Sequence, residues 1–287
     1  MTYGEWLDEW LRLHSLRVRE STIRGYRNAL HHLPDEVRQA DVQNVTPALW
    51  QYGIDSVARL YPRQAQLMHS AMRKSWNDGV RLQRIPSDLL PYKHVEPVRH
   101  RAQERAYLTP AEMSSYVREV RGRKAALPLL LMLLCGLRRG EALGLRWSRI
   151  DRKALLLHID AQFVDGSLKA PKTRTSVRII PICSEILAII DDLGDKKCDL
   201  VYTGGVKRVY ADHRDTLTRA GLDAACTLHG LRHSCATACL NSGADVVTVQ
   251  HILGHAHFST TADIYCHALK ETERAAITSV ATRLEIA

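Results

Sequence analysis

Residues 125–134, AALPLLLMLL, are the strongest constraint on what this chain can become. They are apolar on every side, so a helix built from them must be surrounded by protein. They also fall well short of the roughly 18 residues that a bilayer crossing needs. The segment therefore predicts the central helix of a globular domain. Gly136 interrupts it, and Leu137 to Leu143 is expected to continue as helix. A length of 287 residues is about twice a typical domain, so a second domain is expected beside this one.

The first hundred residues read as a small helical bundle. Tyr3 to Leu13 has apolar and aromatic residues at helical spacing, and Ser21 or Thr22 is placed to cap a helix running towards Leu33. Thr46-Pro47 pairs a cap with proline at the first helical position. Pro62 opens a helix through Trp76 that Gly79 is expected to end. Pro86, Pro91, Pro97 and the polar run 99–105 mark a connector. Thr109-Pro110-Ala111-Glu112 then starts a new helix with a capping box. The expected organisation is a helical domain over 1–98, a linker over 99–107 and a second domain over 108–287. Strands over 154–159 and 177–182, a turn at Asp165-Gly166 and a basic turn over 169–173 predict one small antiparallel sheet with lysines at a hairpin tip. Helices resume from Glu185. The fold class is mainly α with a small antiparallel β-sheet, that is α+β.

Composition narrows the setting. Apolar residues make up 45% and charged residues 25%, which excludes general disorder. The acidic, tryptophan-rich start is unlike a secretory signal. Seven cysteines, an odd number without a C-x-x-C pair, predict reduced thiols in a cytoplasmic protein. A formal charge of +9 and a pI near 9.3 suit a nucleic-acid partner. Arg59, Arg63, Arg73, Lys74 and Arg81 on the helical domain, with Lys169 and Arg174 at the basic turn, are candidate DNA contacts. A solvated helix face is the simpler account of each one singly.

Four pieces of the second domain carry chemistry. They are Gly136-Leu137-Arg138-Arg139-Gly140-Glu141, Pro171-Lys172-Thr173, His229-Gly230-Leu231-Arg232-His233, and Leu253-Gly254-His255 followed by Tyr265. Two arginines make a bidentate clamp for phosphate at any working pH, and they meet the charge that gathers on non-bridging oxygens in a phosphodiester transition state. A tyrosine phenol serves as nucleophile if a base or a positive field helps it ionise. Its phosphate ester conserves activation that hydrolysis would waste. A departing 5′-alkoxide needs a proton, which a hairpin lysine supplies. Histidines then act as base and as hydrogen-bond donor to the phosphate. Any one of these residues alone is more often structural; their order together is the signal.

The set Arg138, Lys172, His229, Arg232, His255 and Tyr265 resembles the active site of the tyrosine recombinase (phage integrase) family. The surrounding words match too, in Gly-Leu-Arg-Arg-Gly-Glu-Ala-Leu, Leu-His-Gly-Leu-Arg-His, Leu-Gly-His and Thr-Thr-Ala-Asp-Ile-Tyr. The likeness covers residues 106 to about 280, and the first domain loosely resembles the family's core-binding (SAM-like) domain. The resemblance implies strand exchange without metal or other cofactor. Tyr265 would attack the scissile phosphate, leaving a 3′-phosphotyrosyl link and a free 5′-hydroxyl. Arg138 and Arg232 would clamp the phosphate, Lys172 act as general acid, His229 as base and His255 as a steadying donor. Glu141 would orient an arginine. The implied partners are double-stranded DNA with specific sites, three further copies forming a tetramer through a Holliday junction, and an excisionase. The tail Cys266 to Ala287 would dock on a neighbouring copy.

Two departures stand out. The helical domain begins almost at Met1, so an extra arm-binding domain is not expected, and Arg149 stands where an aspartate is frequent. His229/His233 and His251/His255 are i, i+4 pairs, but without the glutamate of H-E-x-x-H or a cysteine frame they do not point to metal. Cys235 and Cys239 read as small core residues. The resemblance favours an integrase or excision enzyme of a phage or other mobile element. The alternatives are a chromosome-dimer resolving recombinase, a type IB topoisomerase and a catalytically silent DNA-binding regulator.

Overall fold

The computed structural model describes residues 1–98, 106–171 and 176–254, and the chain divides into two units, Met1–Gln103 and Glu104–Ala287. In the first unit the helices are α1 (Tyr3–Ser15), α2 (Glu20–Leu30), α3 (Asp35–Gln39), α4 (Pro47–Ala58) and α5 (Pro62–Arg81). Thr2 and Glu5 cap α1 reciprocally: Thr2 Oγ1 accepts from the Glu5 N–H at 3.2 Å, and the Glu5 carboxylate accepts from the Thr2 N–H at 2.8 Å. Thr46 caps α4 as its Thr-Pro pair predicts, accepting from Leu49 N–H at 3.2 Å. Two expectations fail here. α2 starts at Glu20 behind Arg19, so Ser21 and Thr22 lie inside its first turn and cap nothing. Gly79 does not end α5, which runs on to Arg81. A Cβ at Gly79 would lie 2.7 Å from Ile85 Cδ1, so this glycine is set by close packing.

Aromatic rings form the centre of this unit. Tyr3, Trp6, Trp10, Trp50 and Trp76 are all buried, and the Tyr3, Trp50 and Trp76 rings lie 5.3–5.9 Å apart in tilted or edge-on pairs. Trp6 Nε1 donates to the Ser75 carbonyl at 3.1 Å, Trp76 Nε1 to the Leu89 carbonyl at 2.7 Å and Trp10 Nε1 to the Asp78 carboxylate at 2.9 Å, whereas Trp50 Nε1 has no hydrogen-bond partner among the described residues. Arg59, Arg63, Arg73, Lys74 and Arg81 are all exposed. Lys74 and Arg81 share one carboxylate, Asp78, at 3.8 and 3.0 Å.

The second unit is built round the predicted apolar helix. α6 (Pro110–Val120) carries the expected capping box between Thr109 and Glu112. In α7 (Ala126–Leu134) eight of nine residues are buried, with Pro128 in the first turn, where its missing N–H costs no helical bond. α8 (Arg139–Leu143), α9 (Ser184–Leu193), α10 (Val206–Arg219) and α11 (Leu228–Asn241) pack on α7, and α12 (Val246–Leu253) packs on α11. Between α8 and α9 lie β1 (Ile150–Asp151), β2 (Leu156–Ile159), β3 (Gln162–Val164), β4 (Ser167–Lys169) and β5 (Arg178–Pro181).

These strands correct the expected single sheet. β2 pairs antiparallel with β1 and β5, placing Leu157 opposite Ile180, while β3 and β4 form a separate hairpin. The tip of that hairpin is Asp165-Gly166, both at positive φ, as the sequence predicts; Lys169 ends β4 and pairs with Asp165 at 3.7 Å, and the rest of the basic turn from Lys172 lies outside the described residues. Among the described residues no helix is long and apolar enough to cross a membrane.

The helix expected from Leu137 is also corrected: α8 begins at Arg139, and Gly136 (φ +62°) breaks the chain before it. Residue 136 needs glycine twice over, for its left-handed backbone and because a Cβ would sit 2.6 Å from Leu253 Cδ2. Left-handed backbone costs a non-glycine residue roughly 1–2 kcal/mol, and overpacking roughly 1–3 kcal/mol. Gly136→Ala is therefore expected to lower stability by about 2–5 kcal/mol in urea unfolding. A loss of only about 1–2 kcal/mol would mean that Leu253 yields and the backbone cost alone remains.

Candidate active site

The break at Gly136 does two things for the residues beside it. It turns the Gly136 carbonyl towards α11, where Arg232 Nη1 donates to it at 2.6 Å, and it leaves Arg138 as the residue that precedes α8. The Glu141 carboxylate, three residues on, reaches back over the helix start and accepts from the Arg138 backbone N–H at 2.9 Å and from Arg138 Nη1 at 2.7 Å. Glu141 is buried while the Arg138 side chain keeps 35% of its surface exposed, so the guanidinium is tethered at one edge and open at the other.

On α11, Thr227 Oγ1 accepts from the Gly230 N–H at 3.2 Å and so caps the helix that carries His229 and Arg232. Gly230 between them is required by space, since a Cβ there would meet the Ala106 carbonyl at 2.6 Å. His229 is exposed in the first turn, whereas Arg232 is buried with its side chain only 2% exposed. The i, i+3 spacing puts the two on one side of the helix, and they differ in depth. Arg232 Nη2 donates to the Leu253 carbonyl at 2.5 Å, and Nη1 lies 3.9 Å from Glu141 Oε2. Its Nε–H has no hydrogen-bond partner among the described residues.

A third arginine completes the cluster, and sequence reasoning missed it. Arg178 enters from β5, where the burial alternates so that Arg178 and Ile180 point inward and Ile179 outward. It grips Glu141 with both ends of its fork, Nη1 to Oε1 at 3.1 Å and Nη2 to Oε2 at 2.9 Å. The only sequence signal for it is a cation inside a β-branched strand, which by itself does not say which face is inward.

The three guanidinium groups also meet the end of α12. Arg178 Nε donates to the Ile252 carbonyl at 2.6 Å, Arg232 to Leu253, and Arg138 Nη2 to Gly254 at 2.6 Å. Three successive carbonyls that a helix C-terminus leaves open are thus each taken by one arginine. Burial alone would raise the Glu141 pKa, but the hydrogen bonds and charge of Arg178, then the charge and backbone N–H of Arg138, hold it below the usual carboxylate range. Burial first, then the positive charge of Arg138, pulls the Arg232 pKa down; it still lies far enough above neutrality to stay charged.

The structure thus brings Arg138, Glu141 and Arg232 together, with His229 on the helix that carries Arg232. Lys172, Arg174, His255, Tyr265 and the tail from Cys266 lie outside the described residues. Arg149 and Arg146 share Asp160 at 2.8 and 2.9 Å. Among the described residues no group of three or more His, Cys, Asp or Glu side chains is gathered to hold a metal ion.

Breaking a buried ion pair from one side costs about 3–5 kcal/mol, so Glu141→Gln is expected to destabilise the protein on that scale. The pH dependence follows from the lowered pKa. The pair contributes fully above the ordinary glutamate value of 4.5 and is lost as pH falls through the lower folded value. Acid unfolding of the wild type should show this loss, and the Glu141→Gln curve should lack it.

The sequence pattern of the phage integrase family matches residues 106–272, more than half of the chain. A tyrosine recombinase XerC-like protein of Caldanaerobacter subterraneus is 25% identical over 201 residues, covering 58% of this chain and 51% of that protein. The ICEBs1 integrase of Bacillus subtilis is 30% identical over 157 residues, covering 47% and 42%. The chain thus matches about half the length of these curated relatives. The solved Tn1549 transposon integrase in complex with transposon right end DNA superposes with a TM-score of 0.82 at 19% identity, covering 98% of this chain and 100% of that one, a likeness of fold. With the family pattern spanning the arginine cluster from α6 through α12, the chain belongs to the phage integrase family.

Proposed function

We propose that the protein is a site-specific DNA recombinase that cuts and rejoins DNA through a 3′-phosphotyrosyl intermediate without metal. The observation that carries this reading is the convergence of Arg138 and Arg232 on the one carboxylate of Glu141, in a family whose motifs the chain retains. Two fixed positive charges in a partly water-excluded site are suited to the charge that develops on a phosphodiester in its transition state. A buried guanidinium with an unpartnered N–H costs free energy, which a further acceptor such as a phosphate oxygen would recover.

The Tyr265 phenol oxygen attacks phosphorus as His229 takes its proton; the 5′-oxygen leaves and takes a proton from Lys172; His255 donates to a non-bridging oxygen. Religation reverses these steps with a 5′-hydroxyl from another strand. Residues 1–98 would serve as a helical core-binding domain, 99–107 as linker and 108–287 as catalytic domain with tail. Arg59, Arg63, Arg73, Lys74, Arg81, Lys169 and Arg174 would touch phosphates. Lys74, Arg81 and Lys169 would do so less strongly, since they already pair with carboxylates.

The integrative reading draws on the ICEBs1 and Tn1549 integrases. It implies action in the cytoplasm on attachment-site DNA, as a tetramer whose copies dock through the tail, with an excisionase as accessory. The XerC-like relative supports the second reading, resolution of chromosome dimers.

Incubation with DNA from the flanks of the gene's mobile element should trap a covalent protein–DNA adduct. Tyr265→Phe should abolish the adduct and EDTA leave it unchanged. Arg232→Ala should slow its formation by about 10²–10³-fold, the usual loss when one donor to a developing oxyanion is removed. Sequence-specific binding with no adduct under any condition would favour the silent regulator, and a cut that requires metal would end the proposal.

A further inference from the structure

On the reading of the site as a phosphate clamp, we infer that Arg178 is a positioning residue that occupies Glu141 and thereby leaves the charges of Arg138 and Arg232 uncompensated towards the substrate phosphate. Glu141 offers about four acceptor positions, and all four are used: Oε1 by Arg138 Nη1 and Arg178 Nη1, Oε2 by Arg178 Nη2 and the Arg138 backbone N–H. Arg178 takes two of them in a parallel fork. With those filled, Arg138 holds the carboxylate through a single guanidinium bond, and Arg232 is left at 3.9 Å, outside hydrogen-bond reach.

Arg178 is itself unsuited to touch substrate. Its side chain is only 2% exposed, and its remaining bonds go to the Ile252 carbonyl at 2.6 Å and the Ser176 carbonyl at 3.2 Å. Three guanidinium groups around one carboxylate leave a surplus of two positive charges. Arg178 and Glu141 cancel each other in the interior, so that surplus resides on Arg138 and Arg232. Without Arg178, the freed carboxylate oxygens would close on Arg138 as a fork of its own. The clamp would then drop to a single net charge.

A charge-matched double variant separates this role from a merely structural one. The full-length protein, Arg178→Gln, Glu141→Gln, their combination and Arg232→Ala as control are titrated with inorganic phosphate, and binding is read from the rise in melting temperature. Arg178→Gln is expected to weaken phosphate binding by about tenfold or more, and the double variant to return within about threefold of wild type, as a direct charge coupling requires. Arg178→Lys, which keeps the charge and loses the fork, should also stay within about threefold. It decides the matter alone if Arg178→Gln does not fold.

A double variant no better than Arg178→Gln, an Arg178→Lys as weak as Arg178→Gln, or wild-type phosphate binding that does not depend on Arg232 would overturn the inference. Phosphate binding is read without any strand cleavage. A wild type that binds phosphate and forms no adduct would therefore sink the recombinase reading and leave this one standing.

Discussion

Glu141 carries one negative charge into a place where three guanidinium groups arrive from three different elements, and most of the second unit can be understood as the scaffold for that meeting. Arg138 comes from the start of α8, Arg178 from β5 and Arg232 from α11. A lone buried carboxylate would be costly, and so would a lone buried guanidinium; each is tolerable only because the other is there with good geometry. The apolar α7 makes the arrangement affordable, because its almost wholly buried surface packs against α8 and α11, the elements that bring in two of the arginines.

The arrangement is asymmetric in a way that matters for chemistry. The carboxylate is saturated, while the arginines retain donors. Arg138 is partly open and Arg232 is deep, so an incoming anion would meet the first before the second. Hydrogen bonds from charged donors to the end of α12 add rigidity, since a helix C-terminus carries the partial negative charge that cations favour. Pre-organised charge of this kind is worth most where water is excluded and no reorganisation is needed as the reaction proceeds.

What was legible in the amino-acid order was local. The caps at Thr46 and Thr109 are contained in three or four residues, and both are where the sequence puts them. Residues 126–134 declare a core helix by composition alone. Arg138 and Glu141 are one turn apart, so their bond could be anticipated. Features fixed by distant partners were hidden. Gly79 reads as a helix stop until Ile85 and Trp6 are seen against it. β3 and β4 pair with each other through a two-residue turn, yet nothing nearby says that they stand apart from β2 and β5. Arg178 was invisible for the same reason: strand alternation allows either face inward, hydrophobicity favours Ile179, and Ile179 is 45% exposed. Only the tertiary demand of Glu141 selects the arginine.

The last turn of α12 gives the site a temporal dimension. Arg232 bonds the Gly136 carbonyl on one side and the Leu253 carbonyl on the other, so residues more than a hundred positions apart are stitched through a single side chain. A nascent polypeptide that has emerged only as far as α11 already holds all three guanidinium groups and Glu141, yet lacks the Ile252, Leu253 and Gly254 carbonyls that each accept from one of them. Such long-range closure belongs to the late, slow part of folding. The arginine cluster is therefore completed only once residues 252–254 have left the ribosome and found their place.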